Sequence, residues 1–435
     1  MNRLALVLMA WLLAGASASV LPAAAQDNPS PPLVVSLPDV LRLVRDVSPR
    51  LAIERLNIRG AEANRITAGA YPNPTLSFGQ SRPGGGQRTL FEGNRQDQAT
   101  LEVPLLLNGQ RGARIEKAER EIEAARARVA SGASTLSAEA GAAFISLLAA
   151  QEKEMQLASA LEELTRLRDI VTTRADLGAA SRYDVARLDV EVGSFRTKLA
   201  DAQADIVDRS GNLAALLGIA DWRPKANGRL VPLMEDGETL DFSRDRALSS
   251  PATRAALEDE KVAQSAVDLA RRERAPGVSL SAGRSSTSNP FGAANFLGLT
   301  VEIPILDTRR GPVAKAEAEA SAATLRRELA TAEVSANLQR YANVITARKA
   351  ALQRFEKDAA SRLPLLKEMS ENAYRLGRGS IFELLDSTRS RQELYQTRIE
   401  LVTSLCEAQL RYLAISGDLE RGIGAAPSPQ NPEKR

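Results

Sequence analysis

The 435-residue chain contains no histidine. That excludes histidine acid–base catalysis and histidine metal sites. Its one cysteine is Cys406, so no disulfide can form within the chain. With only 5 methionines beside it, no thiolate or thioether cluster can be built in one chain. Aromatic residues make up 4 %. A chain this long with so few aromatics is not organised around one thick globular core, and its abundant alanine suits helices packed close side by side. Charge of one sign is missing too: 57 basic against 54 acidic residues leave +3. So small and dispersed an excess argues against a nucleic-acid partner. The carboxylates sit on helical faces beside basic residues, the pattern of a solvated surface. Gly84-Gly85-Gly86-Gln87 lacks the Gly-Lys-Ser/Thr of a phosphate loop. Nothing in the sequence points to an enzyme, a cofactor or a resident metal.

What is present begins with a targeting segment over residues 1–25. Arg3 supplies the positive charge, Leu4 to Leu13 a short apolar run, and Ala23-Ala24-Ala25 a small-residue cleavage site. Residues 26–47 follow as an N-terminal segment. Beyond the leader the sequence reading finds no run of the length a membrane-spanning helix needs. A mature chain that enters a membrane must then do so as a β-barrel.

The rest is one unit used twice. Ser48-Pro49 recurs as Ser250-Pro251, and Pro74-Thr75-Leu76-Ser77 as Pro276-Gly277-Val278-Ser279. Glu102-Val103-Pro104-Leu105-Leu106 recurs as Glu302-Ile303-Pro304-Ile305-Leu306. Leu177-Gly178-Ala179-Ala180-Ser181 recurs as Leu376-Gly377-Arg378-Gly379-Ser380. The matches keep their order and an offset of about 200 residues, as a duplication requires. The repeats span 48–218 and 248–417, with a connector over 219–247 and a flexible tail over 418–435.

Each repeat reads as a short helix, two strands, a long helix, a turn and a return helix. In the hairpin over about 74–107, Ala99, Leu101 and Val103 alternate with Thr100 and Glu102. In the hairpin over about 276–306, Leu297, Leu299 and Val301 alternate with Gly298, Thr300 and Glu302. Period two with one apolar and one polar face fits a barrel wall, lipid on one side and water on the other. It also fits an ordinary half-buried sheet. Thr100, Glu102, Ser279, Thr300 and Glu302 are the candidate lumen residues. Exposed turns are expected at Pro83-Gly84-Gly85-Gly86 and over Ser285 to Asn289. From Ile115 every seventh residue is apolar or alanine through Ile122, Val129, Leu136, Ala143, Ala150, Leu157 and Leu164 to Val171. Such a heptad seam marks supercoiled helices, giving coiled-coil hairpins over about 111–217 and 312–416. The second seam runs Leu338, Ile345, Leu352, Ala359, Leu366, Ala373. Gly178 suits the end of a helix and Ser181 the start of the next. The short opening helices can stack on the ends of the return helices.

Two hairpins supply four strands, which cannot close a barrel, and an open edge in lipid leaves backbone groups unpaired. Two copies would give eight strands with a plugged interior. Three would give twelve with room for water, since barrels begin at about eight strands. The fold class is therefore mixed α and transmembrane β: a duplicated unit with long coiled-coil hairpins and four strands per chain, completing a 12-stranded barrel in a trimer.

These features resemble the TolC-like outer-membrane efflux proteins over essentially the whole mature chain. The segment Leu105 to Arg114 is similar to the one after the second strand in the heavy-metal cation-efflux (CzcC-like) branch, and Ile303 to Gly311 to its counterpart. The resemblance implies a homotrimeric conduit in the outer membrane of a Gram-negative bacterium. It implies docking on a periplasmic membrane-fusion adaptor and an inner-membrane pump, of the resistance-nodulation-division type, for heavy-metal cations. The adaptor would meet the tips at Leu177, Gly178, Ala179, Ala180 and Ser181, and at Leu376, Gly377, Arg378, Gly379 and Ser380. The segment Ile381 to Asp386 matches the family's acidic constriction, with Glu383 and Asp386 as periplasmic gate candidates. Two alternatives stay open: a duct for drugs or type I protein secretion, and a soluble periplasmic coiled-coil adaptor.

Overall fold

The computed structural model describes residues 33–82, 95–235, 237, 239–287, 292–376 and 378–419. The leader, the Gly84–Gly86 turn, Gly377 and the tail from 420 lie outside the described residues. The elements run in the expected order. β1 (Val34–Val35) and helix α1 (Leu37–Asp46) precede the first repeat. That repeat holds α2 (Pro49–Gly69), β2 (Thr75–Ser81), β3 (Gln96–Leu105), α3 (Gln110–Asp176) and α4 (Arg182–Leu217). β4 (Lys225–Ala226) and α5 (Arg244–Ser249) lie in the connector. The second repeat holds α6 (Pro251–Arg272), β5 (Gly277–Thr287), β6 (Ala293–Glu302), α7 (Arg310–Asp358), α8 (Leu363–Arg375) and α9 (Ile381–Ser416).

The heptad seam becomes one unbroken helix, α3, of 67 residues. At 1.5 Å per residue it runs about 100 Å. It packs on α4, on the opening helices α2 and α6, and on α9 of the other repeat. Contrary to the sequence reading, α3 does contain a stretch long and apolar enough to cross a membrane. Protein covers its apolar side: Leu136, Phe144, Leu147 and Leu148 are buried in the main core. Each such buried side chain contributes about 1.5–3 kcal/mol. The second long helix departs from its seam. α7 ends at Asp358, a turn of 3₁₀-helix follows over Ala360–Arg362, and α8 starts afresh with Pro364 in its first turn. Proline lacks the N–H for the helical ladder and its ring clashes with the preceding turn, so it opens a helix but cannot continue one.

Each opening helix sits at the end of its return helix. Gly218, which ends α4, has φ 69°, and a Cβ there would lie 3.0 Å from Cδ of Pro49 at the start of α2. Gly417 ends α9 at φ 79°, and its Cβ would lie 3.2 Å from Cδ of Pro251. Left-handed backbone and close approach both require glycine here, and the duplication preserves both junctions.

The connector is fastened rather than loose. Val34 pairs in parallel with Lys225 and Val35 with Ala226. Gln151 of α3 closes over this bridge, accepting from the Ala226 N–H at 2.8 Å and donating to its carbonyl at 3.3 Å. From α9, Gln409 accepts from the Leu233 N–H at 2.8 Å and the Tyr412 hydroxyl donates to the Asp241 carbonyl at 2.9 Å. Trp222 is buried in the same core. A second core cluster lies toward the helical turns, built from Leu157, Leu164 and Val171 of α3, Leu188 and Phe195 of α4, and Leu384 and Leu385 of α9.

Candidate functional site

The chain has two regions of functional interest, the four-stranded sheet and the turns that end the helical hairpins. In the sheet the strand order is β2-β3-β5-β6, every neighbour antiparallel. The register sorts the side chains over most of the sheet, with Gln80, Asp97, Arg284 and Asn295 at one end of the apolar face. Leu76 is opposite Leu101, Leu101 opposite Ala282, and Ala282 opposite Leu297. One residue pair along, Val103 is opposite Leu280 and Leu280 opposite Leu299. Opposed residues share a face, so both repeats contribute to one apolar face. That face is uncovered: Phe78 is 78 % and Leu297 75 % exposed.

The candidate lumen residues lie together on the other face. Glu102 is opposite Ser281, Thr300 opposite Ser279, and Glu302 opposite Gly277, while Thr100 is opposite Gly283. The Ser279 hydroxyl donates to Oε1 of Glu102 at 2.6 Å. Phe296 is a large apolar side chain on this polar face, opposite Gly283. Ser285 to Thr287, expected in a turn, are strand, and Ser288 and Asn289 lie outside the described residues. β5 continues through Thr287, because Ser285 and Ser286 are paired on both sides, with β3 and β6. Among the described residues β2 and β6 pair on one side only, leaving two free edges.

The helical turns are built by matched caps. At the first, α3 ends at Asp176, Leu177 caps it, and Gly178 follows with φ 76°. The hydroxyl of Ser181 accepts from the Tyr183 N–H at 3.1 Å, and Asp184 turns back to the Ser181 N–H at 3.4 Å. At the second, the hydroxyl of Ser380 accepts from the Glu383 N–H and the Glu383 carboxylate from the Ser380 N–H, both at 3.3 Å. These are capping boxes, one per repeat. Leu177 and Leu376 stand exposed at the two ends. The fold brings the turns together: Ala179 and Ala180 of one and Gly379 and Ser380 of the other line a single cavity. Glu383 and Asp386 are both exposed, one helical turn apart on α9. Among the described residues no His/Cys/Asp/Glu group has the arrangement of a metal site.

Sequence reasoning missed the ionic ties between the repeats above these turns. Arg391 of α9 is buried and donates through Nη2 to Oε1 of Glu163 on α3 at 2.6 Å. Lys367 of α8 donates to the other oxygen of Glu163 at 2.8 Å. Burial pushes the Glu163 carboxyl up, but these two donors outweigh it and hold it below the usual carboxylate range. Buried Glu191 of α4 takes both Nε (2.8 Å) and Nη2 of Arg389. That bond raises the Arg389 guanidinium above its ordinary value. A charged residue inside an apolar seam, as at Arg391, was the available signal.

The sequence pattern of the outer membrane efflux protein family matches residues 40–219, which covers the first repeat. The chain is 30 % identical to the nickel-cobalt-cadmium resistance protein NccC of Alcaligenes xylosoxydans xylosoxydans, over 72 % of this chain and 69 % of that one. It is 25 % identical to the cobalt-zinc-cadmium resistance protein CzcC of Cupriavidus metallidurans, over 88 % and 87 %. The fold is shared with the CmeC outer membrane channel of Campylobacter jejuni, at a TM-score of 0.74 and 14 % identity over 88 % of this chain and 86 % of that one. It is shared also with CusC, at a TM-score of 0.72 and 17 % identity over 88 % and 93 %. An exposed apolar sheet face, a duplicated helical hairpin and these relatives agree: the chain belongs to the outer membrane efflux protein family, as an outer-membrane channel whose helical part stands in the periplasm.

Proposed function

We propose that three copies of this chain form one export duct for heavy-metal cations, fed by a periplasmic adaptor and an inner-membrane pump. The observation that carries the substrate class is the kinship with NccC and CzcC, both described as metal-resistance proteins. The free edges of β2 and β6 support pooling of strands, because an unpaired edge in lipid costs several kcal/mol per backbone group. Three copies give twelve strands, with the face of Thr100, Glu102, Thr300 and Glu302 turned to the water-filled interior. At the opposite end the adaptor meets the Leu177–Ser181 and Leu376–Ser380 turns. Glu383 and Asp386, three of each, form a ring that attracts cations and resists closing while ionised. The cation is cargo: the duct conducts what the pump has selected.

The test is growth of a deletion strain, with and without the gene restored, on zinc, cobalt, cadmium, nickel, copper and hydrophobic drugs. Restorable sensitivity confined to metals is the expected result and names the metal. Sensitivity confined to drugs refutes the substrate class and leaves the duct.

A further inference from the structure

The cavity between the two turns has a composition that capping alone does not explain. It measures about 410 Å³, within the roughly 300–1,000 Å³ of small-ligand pockets. Both repeats build it, so whatever fills it touches both hairpins. Its cations are Arg174 and Arg187. Each guanidinium lies over an aromatic ring, Arg187 at 4.9 Å from the centroid of Phe382 and Arg174 at 5.8 Å from that of Tyr374. Stacking engages the flat faces and leaves the N–H edges to donate. Among the described residues, Nε of Arg187 is buried without a hydrogen-bond partner, and its Nη1 donates to the Tyr183 hydroxyl at 3.4 Å. An unpaired buried donor is costly, and it leaves the Arg187 guanidinium short of acceptors in the free chain.

The side-chain acceptors in its wall are few: the hydroxyls of Tyr183, Tyr374 and Ser380, the first already taking Arg187, and one carboxylate. That carboxylate, Asp184, is turned back onto the Ser181 N–H. Glu383, beside it, is held on the Ser380 N–H in the same way. The first turns of α4 and α9 also contribute to the lining, and helix N-termini favour negative charge. Donors therefore exceed acceptors, and the walls are aromatic. Resting on the adaptor reading above, we propose that this cavity seats an aspartate or glutamate side chain from the adaptor, its carboxylate on the guanidinium edges of Arg187 and Arg174 and its stem against Phe382 and Tyr374. A planar carboxylate matches the guanidinium fork. Charge complementarity selects this occupant over a basic or purely apolar one.

Two measurements test it on the full chain. First, purified protein is titrated with 3-phenylpropanoate and with 3-phenylpropanamide. The carboxylate should bind about tenfold tighter or more, as charge-assisted hydrogen bonds do over neutral ones. That preference should vanish in Arg187→Ala/Arg174→Ala and persist, weakened, in Arg187→Lys. Equal binding of acid and amide, or a preference that survives the double substitution, overturns the proposal. Second, a photo-cross-linker at Leu177, which lies outside the cavity, reports adaptor docking in cells. The adaptor cross-link should fall at least tenfold in Arg187→Glu and hold in the control Arg166→Glu. An unchanged cross-link in Arg187→Glu overturns the carboxylate contact while leaving docking intact. A wild-type cross-link to a second copy of this chain, or none, overturns the docking reading as well.

Discussion

Arg391 is the side chain whose loss should loosen the helical turns most. Its guanidinium side chain is 9 % exposed, its partner Glu163 is 20 % exposed, and the bond between them is 2.6 Å. Removing one member of a buried pair costs about 3–5 kcal/mol, because the other charge stays behind without compensation. Here Lys367 still reaches Glu163 at 2.8 Å, but it is 44 % exposed and well screened. The expected cost of Arg391→Leu is therefore somewhat below that range, about 2–3 kcal/mol. The effect should be local to α8 and α9. Hydrogen exchange of their backbone amides, in the full chain in detergent, should accelerate by about 30- to 150-fold, since each 1.4 kcal/mol is tenfold. Glu163→Leu/Arg391→Leu removes both charges and should recover part of the loss. The sign of the pH effect follows from the lowered Glu163 carboxyl. Its stabilisation is present above the unfolded glutamate pKa, about 4.3, and is lost as pH falls through the lower folded value. Exchange within about threefold of wild type in Arg391→Leu, or a double variant as loose as the sum of the singles, would refute the reasoning.

Three further outcomes follow from other parts of the fold. Leu299→Arg puts a charge on the apolar sheet face and should cost about 2–4 kcal/mol at mid-bilayer, whereas Thr300→Arg on the polar face should insert normally; the folded fraction in outer membranes distinguishes them. Gly417→Ala forces a left-handed residue against Pro251 and should destabilise by about 1–2 kcal/mol, read from urea unfolding, with Gly218→Ala behaving alike. Cys406 is buried, donates to the Val231 carbonyl, and has its thiol pushed up by burial to about 12. It should resist maleimide in the folded chain at pH 8 and react promptly once unfolded.

The parts legible in sequence are those written in short periods. Alternation at period two placed the four strands and assigned Thr100, Glu102, Thr300 and Glu302 to one face. The heptad from Ile115 to Val171 gave α3, and the repeated Leu-Gly turns gave both hairpin ends. What escaped depends on residues far apart in the chain. Glu163 and Arg391 meet across 228 positions, and Val35 pairs with Ala226 under Gln151 of α3. α1 carries a local signal: Ser36 and Asp39 form a capping box, with Leu37, Val40, Leu41 and Val44 buried behind it. The break after α7 was hidden because Ala359 keeps the heptad count, although Pro364 five residues on opens a new helix. The tip cavity joins two turns 199 residues apart in the chain, as Leu177 and Leu376 are, which no local pattern announces.

The central claim is that three copies close one barrel by pairing β6 of each with β2 of the next. Disulfide trapping tests it most directly. In a Cys406→Ala background, Ser77→Cys on β2 is combined in turn with Gly298→Cys, Thr300→Cys and Glu302→Cys on β6. Facing strand residues lie within the Cα separation, about 4.4–6.8 Å, that a disulfide requires. Oxidation in native outer membranes should yield linked dimers and trimers and nothing larger, for one of the three pairings. A ladder that stops at two copies, or continues beyond three, would contradict the trimer, and no cross-link at any register would contradict the shared barrel.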